Sequence, residues 1–96
     1  MAELDSELSK GGLVVVDFTA TWCGPCQRIS PEYEALATKY ESVTFLKVDV
    51  DDASDVAEKY DIQGMPTFLF FVGGERKHQV VGANIAEVEK AVLKFK

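Results

Sequence analysis

Two cysteines, Cys23 and Cys26, stand three positions apart beside the single tryptophan, in the segment DFTATWCGPC, and they are the only cysteines of the 96-residue chain. Three kinds of chemistry fit such a pair: half of a zinc site, a structural disulfide, or a dithiol that is oxidised and reduced repeatedly. A zinc site needs about four ligands, and His78 is the one histidine that could join the cysteines, so a metal site is disfavoured. Two cysteines are also too few for a disulfide scaffold.

Composition favours a globular domain that forms its own core. Hydrophobic residues make up 47% of the chain, which is enough to bury a core without metal or disulfide staples. Sixteen acidic residues against ten basic ones give a net charge of −6. Because no basic cluster offsets this charge, the sequence argues against nucleic acid or an anionic membrane as a partner.

The N-terminal segment, MAELDSELSKGG, is acidic and polar, whereas a signal peptide needs a basic region followed by an apolar run. The longest apolar runs, at residues 13–16 and 68–72, are far too short to span a bilayer. We therefore expect one domain over residues 1–96 that resides in the cytoplasm. In that compartment a close cysteine pair is more often catalytic or metal-binding than structural.

Helical and strand patterns alternate along the chain. Leu4 and Leu8 lie at helical spacing, whereas the β-branched run LVVVDF lacks clean alternation, which is typical of a strand buried on both faces. The predicted segments are a helix at 2–10, a strand at 13–18, a helix whose apolar stripe covers 29–40, a strand at 43–50, a short helix within 51–62, two strands within 67–82 that turn at Gly73 and Gly74, and a helix from 85. This order predicts a mostly parallel central sheet, covered on both faces, with an antiparallel hairpin at one end.

Cys23 has a position that favours its thiolate over its thiol. It follows the first predicted strand and begins the next helix, where backbone N–H groups lack helical partners and the helix dipole is positive. A lower pKa increases the fraction of thiolate, but a less basic thiolate is also a weaker nucleophile. Together these two effects raise the rate of attack by only about 3-fold. The larger gain comes from Cys26, one helical turn further on, which can attack an intermediate intramolecularly.

Five motifs resemble the thioredoxin family: WCGPC with VVVDFTAT before it, then FLKVDVDD, MPT and VGAN in that order. The resemblance extends from about Leu13 to the end of the chain and is far more specific than a lone C-x-x-C pair. It implies a thioredoxin-like α/β fold, with a central mixed sheet flanked by helices on both faces. Members usually have a further strand before the first helix, and the chain starts too close to that helix to contain it. We therefore expect four strands, and a sheet edge that is open to pairing with a second chain.

The resemblance also implies a function. It implies a thiol-disulfide oxidoreductase, namely a protein-disulfide reductase of electron transport and cell redox homeostasis that works through a redox-active disulfide. The implied partners are disulfide-containing proteins as substrates and an NADPH-dependent thioredoxin reductase as electron donor. No cofactor of its own is implied, and we expect a monomer.

Roles for the cysteines and their neighbours follow from the same resemblance. Cys23 is implied to be the attacking thiolate and Cys26 the resolving thiol. Gly24 and Pro25 are implied to set the redox potential, and the absence of a histidine or charged residue between the cysteines fits the reducing members of the family.

Asp17 matches the family's buried aspartate, and Lys47 matches a lysine that stands beside it in many members. Burial is expected to raise the pKa of Asp17 and the lysine to oppose that rise, which leaves a carboxylate able to take the proton of Cys26 through water. A lysine at a strand position can also simply extend into solvent, so this role of Lys47 stays open.

Pro66 matches the family's cis-proline, whose loop faces the cysteines and is implied to hold the backbone of Met65 for pairing with an extended substrate. Gly82 allows a substrate backbone to come close. The implied substrate groove consists of Trp22, Gly24, Pro25, Met65, Pro66, Thr67, Val81, Gly82 and Ala83.

Two other functions remain open from the sequence. A thioredoxin-like interaction module would bind partners through the same groove with incidental redox activity, although docking alone does not require both thiols. An isomerase or oxidant would use the same cysteines with a higher reduction potential.

Overall fold

The computed structural model describes residues 12–62 and 64–96, so the helix predicted at residues 2–10 lies outside the described residues. The described strands and helices are β1 (Leu13–Thr19), α1 (Gly24–Lys39), β2 (Thr44–Asp49), α2 (Ser54–Lys59), β3 (Thr67–Val72), β4 (Glu75–Val81) and α3 (Ile85–Phe95). Each of them matches a segment that the hydrophobic pattern predicts. None of the helices in these two ranges is both long and apolar enough to cross a bilayer.

The described strands form one four-stranded sheet in the order β2-β1-β3-β4. β1 runs parallel to β2, and Asp17 lies directly opposite Lys47 in this pair. β3 runs antiparallel to both β1 and β4, and the β3–β4 turn contains Gly73 and Gly74, which both adopt positive φ. For residues 12–62 and 64–96, the prediction of a mixed four-stranded sheet is therefore confirmed, with β2 and β4 as its edges.

The expectation of a mostly parallel sheet is wrong, because β1–β2 is the one parallel pair among the described strands. The reason lies in the length of α2. Six helical residues advance about 9 Å, whereas a six-residue strand spans about 20 Å. Helix α2 is therefore too short to carry the chain back across the sheet, and β3 starts at the end where β2 finishes and runs in the opposite direction.

Helices cover both faces of the sheet, as predicted. Helices α1 and α3 pack on one face, where the largest hydrophobic cluster lies, and α2 packs on the other through Val56. Strand β1 contributes to both clusters because its successive side chains alternate between the faces. Leu13 and Val15 lie on the α1 face, so the alternation places Asp17 on that face as well.

Candidate active site

The cysteines lie at the edge of the sheet where the parallel strands β1 and β2 both end. Parallel strands have their carboxyl ends at the same edge, so the loops that follow them are neighbours. The backbone N–H of Val50, after β2, donates to the carbonyl of Thr19, at the end of β1, at 2.9 Å. The first of these two loops leads to Cys23, and the second leads to Asp51.

Cys23 is the N-cap of helix α1, and its Sγ accepts a hydrogen bond from the backbone N–H of Cys26 at 3.3 Å. Pro25 occupies the first turn, where its missing N–H would have had no helical partner. No residue of this first turn is acidic, so no side-chain charge there opposes the positive end of the helix dipole. The local environment therefore favours a negatively charged sulfur at Cys23.

Cys23 and Cys26 form a disulfide with their Cα atoms 5.3 Å apart, so the structure describes the oxidised form. Cys23 is 6% exposed and Cys26 is 1% exposed. Because Cys23 is the more exposed of the two and the following Gly24 and Pro25 are also exposed, an approaching protein reaches Cys23 before Cys26.

His78, the remaining zinc-ligand candidate, lies on β4 and packs against the rings of Phe70 and Phe95. Within residues 12–62 and 64–96, no group of three or more His, Cys, Asp or Glu side chains could surround a metal ion. The cysteine sulfurs are bonded to each other. The arrangement is that of a dithiol–disulfide couple.

Trp22 precedes the reactive pair and is 69% exposed, so it is not a core residue. Its indole N–H donates to Oδ2 of Asp51 at 2.8 Å, which joins the loop after β1 to the loop after β2. Asp51 itself is held in a tight turn in which its backbone N–H donates to Oδ1 of Asp49 at 2.8 Å. A large apolar ring with one fixed edge thus lies beside the disulfide.

The loop before β3 reaches the cysteines from the other side. Met65 packs against a small cluster of Ala20, Cys23 and Cys26. The Met65–Pro66 peptide bond is cis, and Pro66 is buried. Thr67 closes the loop, because its hydroxyl donates to the carbonyl of Gly64.

The turn after β4 lies beside this loop. The backbone N–H of Gly82 donates to the carbonyl of Pro66 at 2.8 Å, and Gly82 has φ +107°, a conformation that favours glycine. Val81 is 55% exposed, and Ala83 is also exposed. The structure thus brings the predicted groove residues to one end of the sheet, from the loops that follow β1 and β4 and the loop that precedes β3.

Asp17 is the buried carboxyl of the site. It is 1% exposed, and its Oδ1 has no hydrogen-bond partner among the described residues. Burial raises the pKa of Asp17 to about 7, and the positive charge of Lys47 opposes this rise. A group that titrates near neutral pH can both accept and release a proton under cellular conditions.

Lys47 lies beside Asp17 in the strand register, but its ammonium group is bonded elsewhere. Its Nζ donates to the Ser30 hydroxyl on α1 and lies 3.9 Å from a carboxylate oxygen of Glu34. The Lys47 side chain is 39% exposed, so it extends towards the surface along α1 rather than into the buried site.

Three residues that orient side chains of the site were not predicted from the sequence: Asp51, Ser30 and Glu34. Asp51 could have been found, because parallel neighbours place the loops after β1 and β2 at one edge and Asp51 follows β2 closely. Ser30 and Glu34 carry no comparable signal, since both are polar residues on a helix whose orientation against β2 was not known.

Comparisons with known proteins agree with this geometry. Residues 1–94 match the family model described as Thioredoxin. The chain is 50% identical over 92 residues to Thioredoxin-2 of Saccharomyces cerevisiae, covering 95% of this chain and 88% of the yeast protein. It is similar to the solved structure of Plasmodium falciparum thioredoxin, with a TM-score of 0.95 and 44% identity over 100% of this chain and 94% of the other.

A further similar structure concerns the thiol resolving mechanism in yeast mitochondrial 1-Cys peroxiredoxin via glutathione/thioredoxin systems. Its TM-score is 0.94 at 33% identity, over 99% of this chain and 90% of that chain.

Proposed function

The chain belongs to the thioredoxin family and is a protein-disulfide reductase of the thioredoxin type, and we propose that Cys23 attacks the substrate disulfide and Cys26 resolves the intermediate. The chain exchanges electrons with disulfide-containing proteins through the Cys23–Cys26 couple. The observation that carries the proposal is the position of this couple: one sulfur caps a helix N-terminus within reach of a partner, and the other is shielded behind it.

The reaction begins from the reduced dithiol. The Cys23 thiolate attacks one sulfur of the substrate disulfide, so the substrate S–S bond breaks and a mixed disulfide forms between Cys23 and the substrate. The other substrate sulfur leaves as a thiolate and takes a proton from solvent. The positive end of helix α1 stabilises the attacking thiolate.

The second step needs the Cys26 thiol to lose its proton. Asp17 accepts that proton through an intervening water, and the Cys26 thiolate attacks Sγ of Cys23. The mixed disulfide breaks, the second substrate sulfur leaves as a thiolate, and the protonated Asp17 supplies the proton that this sulfur takes up. Two electrons have then passed to the substrate, and the Cys23–Cys26 disulfide remains.

The groove binds the substrate backbone during both steps. Trp22, Gly24, Pro25, Val81 and Ala83 offer exposed surface around Cys23, and the Met65 backbone pairs with an extended segment of the substrate. Pro66 and Gly82 fix the two loops relative to each other through their hydrogen bond, and Thr67 fixes the first loop from within.

A thioredoxin reductase that uses NADPH returns two electrons to the Cys23–Cys26 disulfide. Family membership supports this donor, and the net charge of −6 fits a partner that is not nucleic acid. We place this cycle in the cytoplasm. We also propose that the chain acts as a monomer, because one chain supplies all the proposed site residues. The similar structure that concerns a peroxiredoxin suggests that peroxiredoxins are among the substrates.

Reduction of insulin by dithiothreitol, followed as turbidity, tests the activity. We expect the wild-type chain to shorten the lag and Cys23→Ser to leave only the uncatalysed rate. The matched control is Thr38→Ala, which removes an exposed hydroxyl from the far part of α1. A wild-type trace identical to the uncatalysed one would contradict the proposed function.

A further inference from the structure

We infer that Ser30, supported by Glu34, is a positioning residue of this reaction: it anchors the Lys47 ammonium group on helix α1 and so keeps that cation from bonding the Asp17 carboxyl. The inference rests on the proposed roles of Asp17 and Lys47. It adds that the anchor on helix α1 sets how strongly the Lys47 charge acts on the Asp17 carboxyl.

The strand register gives the lysine access to the aspartate. Asp17 and Lys47 are direct partners in the parallel β1–β2 pair, and Val15 and Phe45, two positions earlier, both pack in the α1-side core. Side chains two positions apart share a face, so Asp17 and Lys47 point to the same side of the sheet. Four methylene groups are enough for the ammonium group to reach a neighbouring carboxylate.

The observed hydrogen bonds show that the ammonium group goes elsewhere. Lys47 Nζ donates to Ser30 Oγ and lies 3.9 Å from Glu34 Oε1, whereas Oδ1 of Asp17 has no hydrogen-bond partner within residues 12–62 and 64–96. A buried carboxylate in direct contact with an ammonium group would stay ionised well below neutral pH. Such an aspartate would be a poor proton acceptor for Cys26, because its affinity for protons would be too low.

Helix periodicity connects this anchor to the chemistry. Cys26, Ser30 and Glu34 are each four residues apart, so they lie on one stripe of α1. The stripe carries the resolving sulfur at its first turn and the anchor of the lysine one and two turns later. One rigid helix therefore fixes both the thiol that must lose a proton and the cation that tunes its acceptor.

Few other groups act on Asp17 from the surrounding elements. Helix α1 contributes Tyr33, whose pKa is raised by burial and by the nearby Asp17 charge. The Tyr33 hydroxyl donates to the carbonyls of Val15 and Leu46 at 3.1 and 2.7 Å. Strand β3 places Phe68 opposite Asp17, and α3 adds the apolar Val88, Ala91 and Val92 to this side of the core. The position of the Lys47 ammonium group therefore has the largest influence of any described cation on the charge of Asp17.

The test is the titration of the Asp17 carboxyl in the oxidised protein, followed by the NMR shift of its carboxyl carbon. Ser30→Ala frees Lys47, and we expect the Asp17 midpoint to fall by about one pH unit. Ser30→Thr keeps a hydroxyl and should restore the wild-type midpoint. Thr38→Ala, the matched hydroxyl deletion on α1, should leave the midpoint unchanged.

Further variants separate the anchor from simple stability. Glu34→Gln, at an exposed position, should lower the midpoint by less than Ser30→Ala, and it decides the question if Ser30→Ala does not fold. In a Lys47→Met background, Ser30→Ala should have no further effect, since the cation is gone. An unchanged or higher midpoint in Ser30→Ala, or a full shift in the Lys47→Met background, would overturn the inference.

The same variants distinguish this inference from the proposed mechanism. If the Asp17 midpoint falls in Ser30→Ala and the pH profile of insulin reduction moves with it, both stand. If the midpoint falls while the pH profile stays fixed, the anchor stands and the proton-accepting role of Asp17 fails. If the midpoint does not move while the wild-type chain still reduces insulin, the anchor fails and the reductase function stands.

Discussion

The C-terminal end of helix α1 is tied to α3 by Glu89, whose carboxylate accepts hydrogen bonds from the Lys39 ammonium and the Tyr40 hydroxyl, both at 2.7 Å. On the sheet face that the same helix covers, one oxygen of the Asp17 carboxyl has no hydrogen-bond partner in the part of the chain that the structure describes. The two carboxyls respond in opposite directions. The hydrogen bonds from Lys39 and Tyr40 lower the pKa of Glu89, whereas burial raises the pKa of Asp17 to about 7.

The contrast between these two carboxyls shows that one of them stabilises the fold when charged and the other destabilises it. Glu89 lies at the surface and its bonds help to hold two helices together, so its charge is favourable. Asp17 is buried, and one of its oxygens has no partner among the described groups, so its charge is unfavourable and its protonation state changes near neutral pH. A buried acid of this kind destabilises a protein, which makes a catalytic role the better explanation for its presence.

The largest expected effect comes from removing one sulfur at the N-terminal end of α1. Cys26→Ser leaves Cys23 able to attack but removes the resolving thiol, so disulfide-bonded substrates should accumulate as mixed disulfides with the chain. Non-reducing gels and mass spectrometry would detect these adducts, which dithiothreitol should release. The matched variant Cys23→Ser should form none, and adducts of equal yield in both variants would contradict the assignment of the two roles.

The next effect concerns stability and pH. The folded-state pKa of Asp17, about 7, lies above the unfolded value of 3.8, so the folded protein binds this proton more tightly. The stability of the oxidised wild-type chain should therefore fall as pH rises from about 4 to about 7, by up to about 4 kcal/mol from this one group. Asp17→Asn should lose that part of the pH dependence, as measured by urea unfolding at pH 4 and pH 8.5.

Glu89→Gln is the control for this pH dependence, because the contribution of Glu89 to stability changes with pH in the direction opposite to that of Asp17. The folded-state pKa of Glu89 is lowered, so its contribution is present above the unfolded pKa and disappears as the pH falls through the folded pKa. The variant should therefore be less stable than the wild type at pH 8.5 and approach it at low pH. Equal pH dependence in wild type and Asp17→Asn would show that Asp17 does not titrate as described.

A smaller effect is expected at the groove. Asp51→Ala removes the acceptor that fixes the Trp22 indole, at a cost of about 1 kcal/mol, or about 5-fold in kcat/KM for a protein substrate. Asp52→Ala removes the neighbouring exposed carboxylate and is the matched control. Steady-state kinetics with insulin and the fluorescence anisotropy of Trp22 would both report the change, and equal losses in the two variants would point to a general charge effect.

The smallest effect on activity is expected at the far end of α1. Glu89→Ala removes the bonds to Lys39 and Tyr40 and should lower the melting temperature slightly, because exposed ion pairs contribute little. Its insulin reduction should match that of the wild type. A loss of activity comparable to that of Asp51→Ala would show that the two ends of the helix are not functionally separate.

Most of the architecture could be predicted from the sequence because local signals were strong. The β-branched run at β1, the two glycines of the β3–β4 turn and Asn84, whose side chain accepts from the backbone N–H of Glu87 at 3.2 Å, each define one element. The direction of β3 could not be predicted in the same way, because it depends on how far α2 carries the chain.

The residues of the site also differ in how far the sequence predicts them. Cys23, Cys26 and Pro66 belong to continuous motifs, so their positions followed from the family resemblance. The partners that orient the other residues come from elsewhere in the chain, as Asp51 does for Trp22 and Ser30 does for Lys47. Such pairs depend on tertiary packing, and a single sequence does not reveal it.

The reduction potential of the Cys23–Cys26 couple, measured by equilibration with glutathione at pH 7, shows in which direction the chain passes electrons. We expect a potential more negative than about −220 mV, because a protein-disulfide reductase must be at least as reducing as a reduced glutathione pool. A potential of about −180 mV or higher would instead be that of an isomerase or an oxidant, and the chain would then not be a reductase.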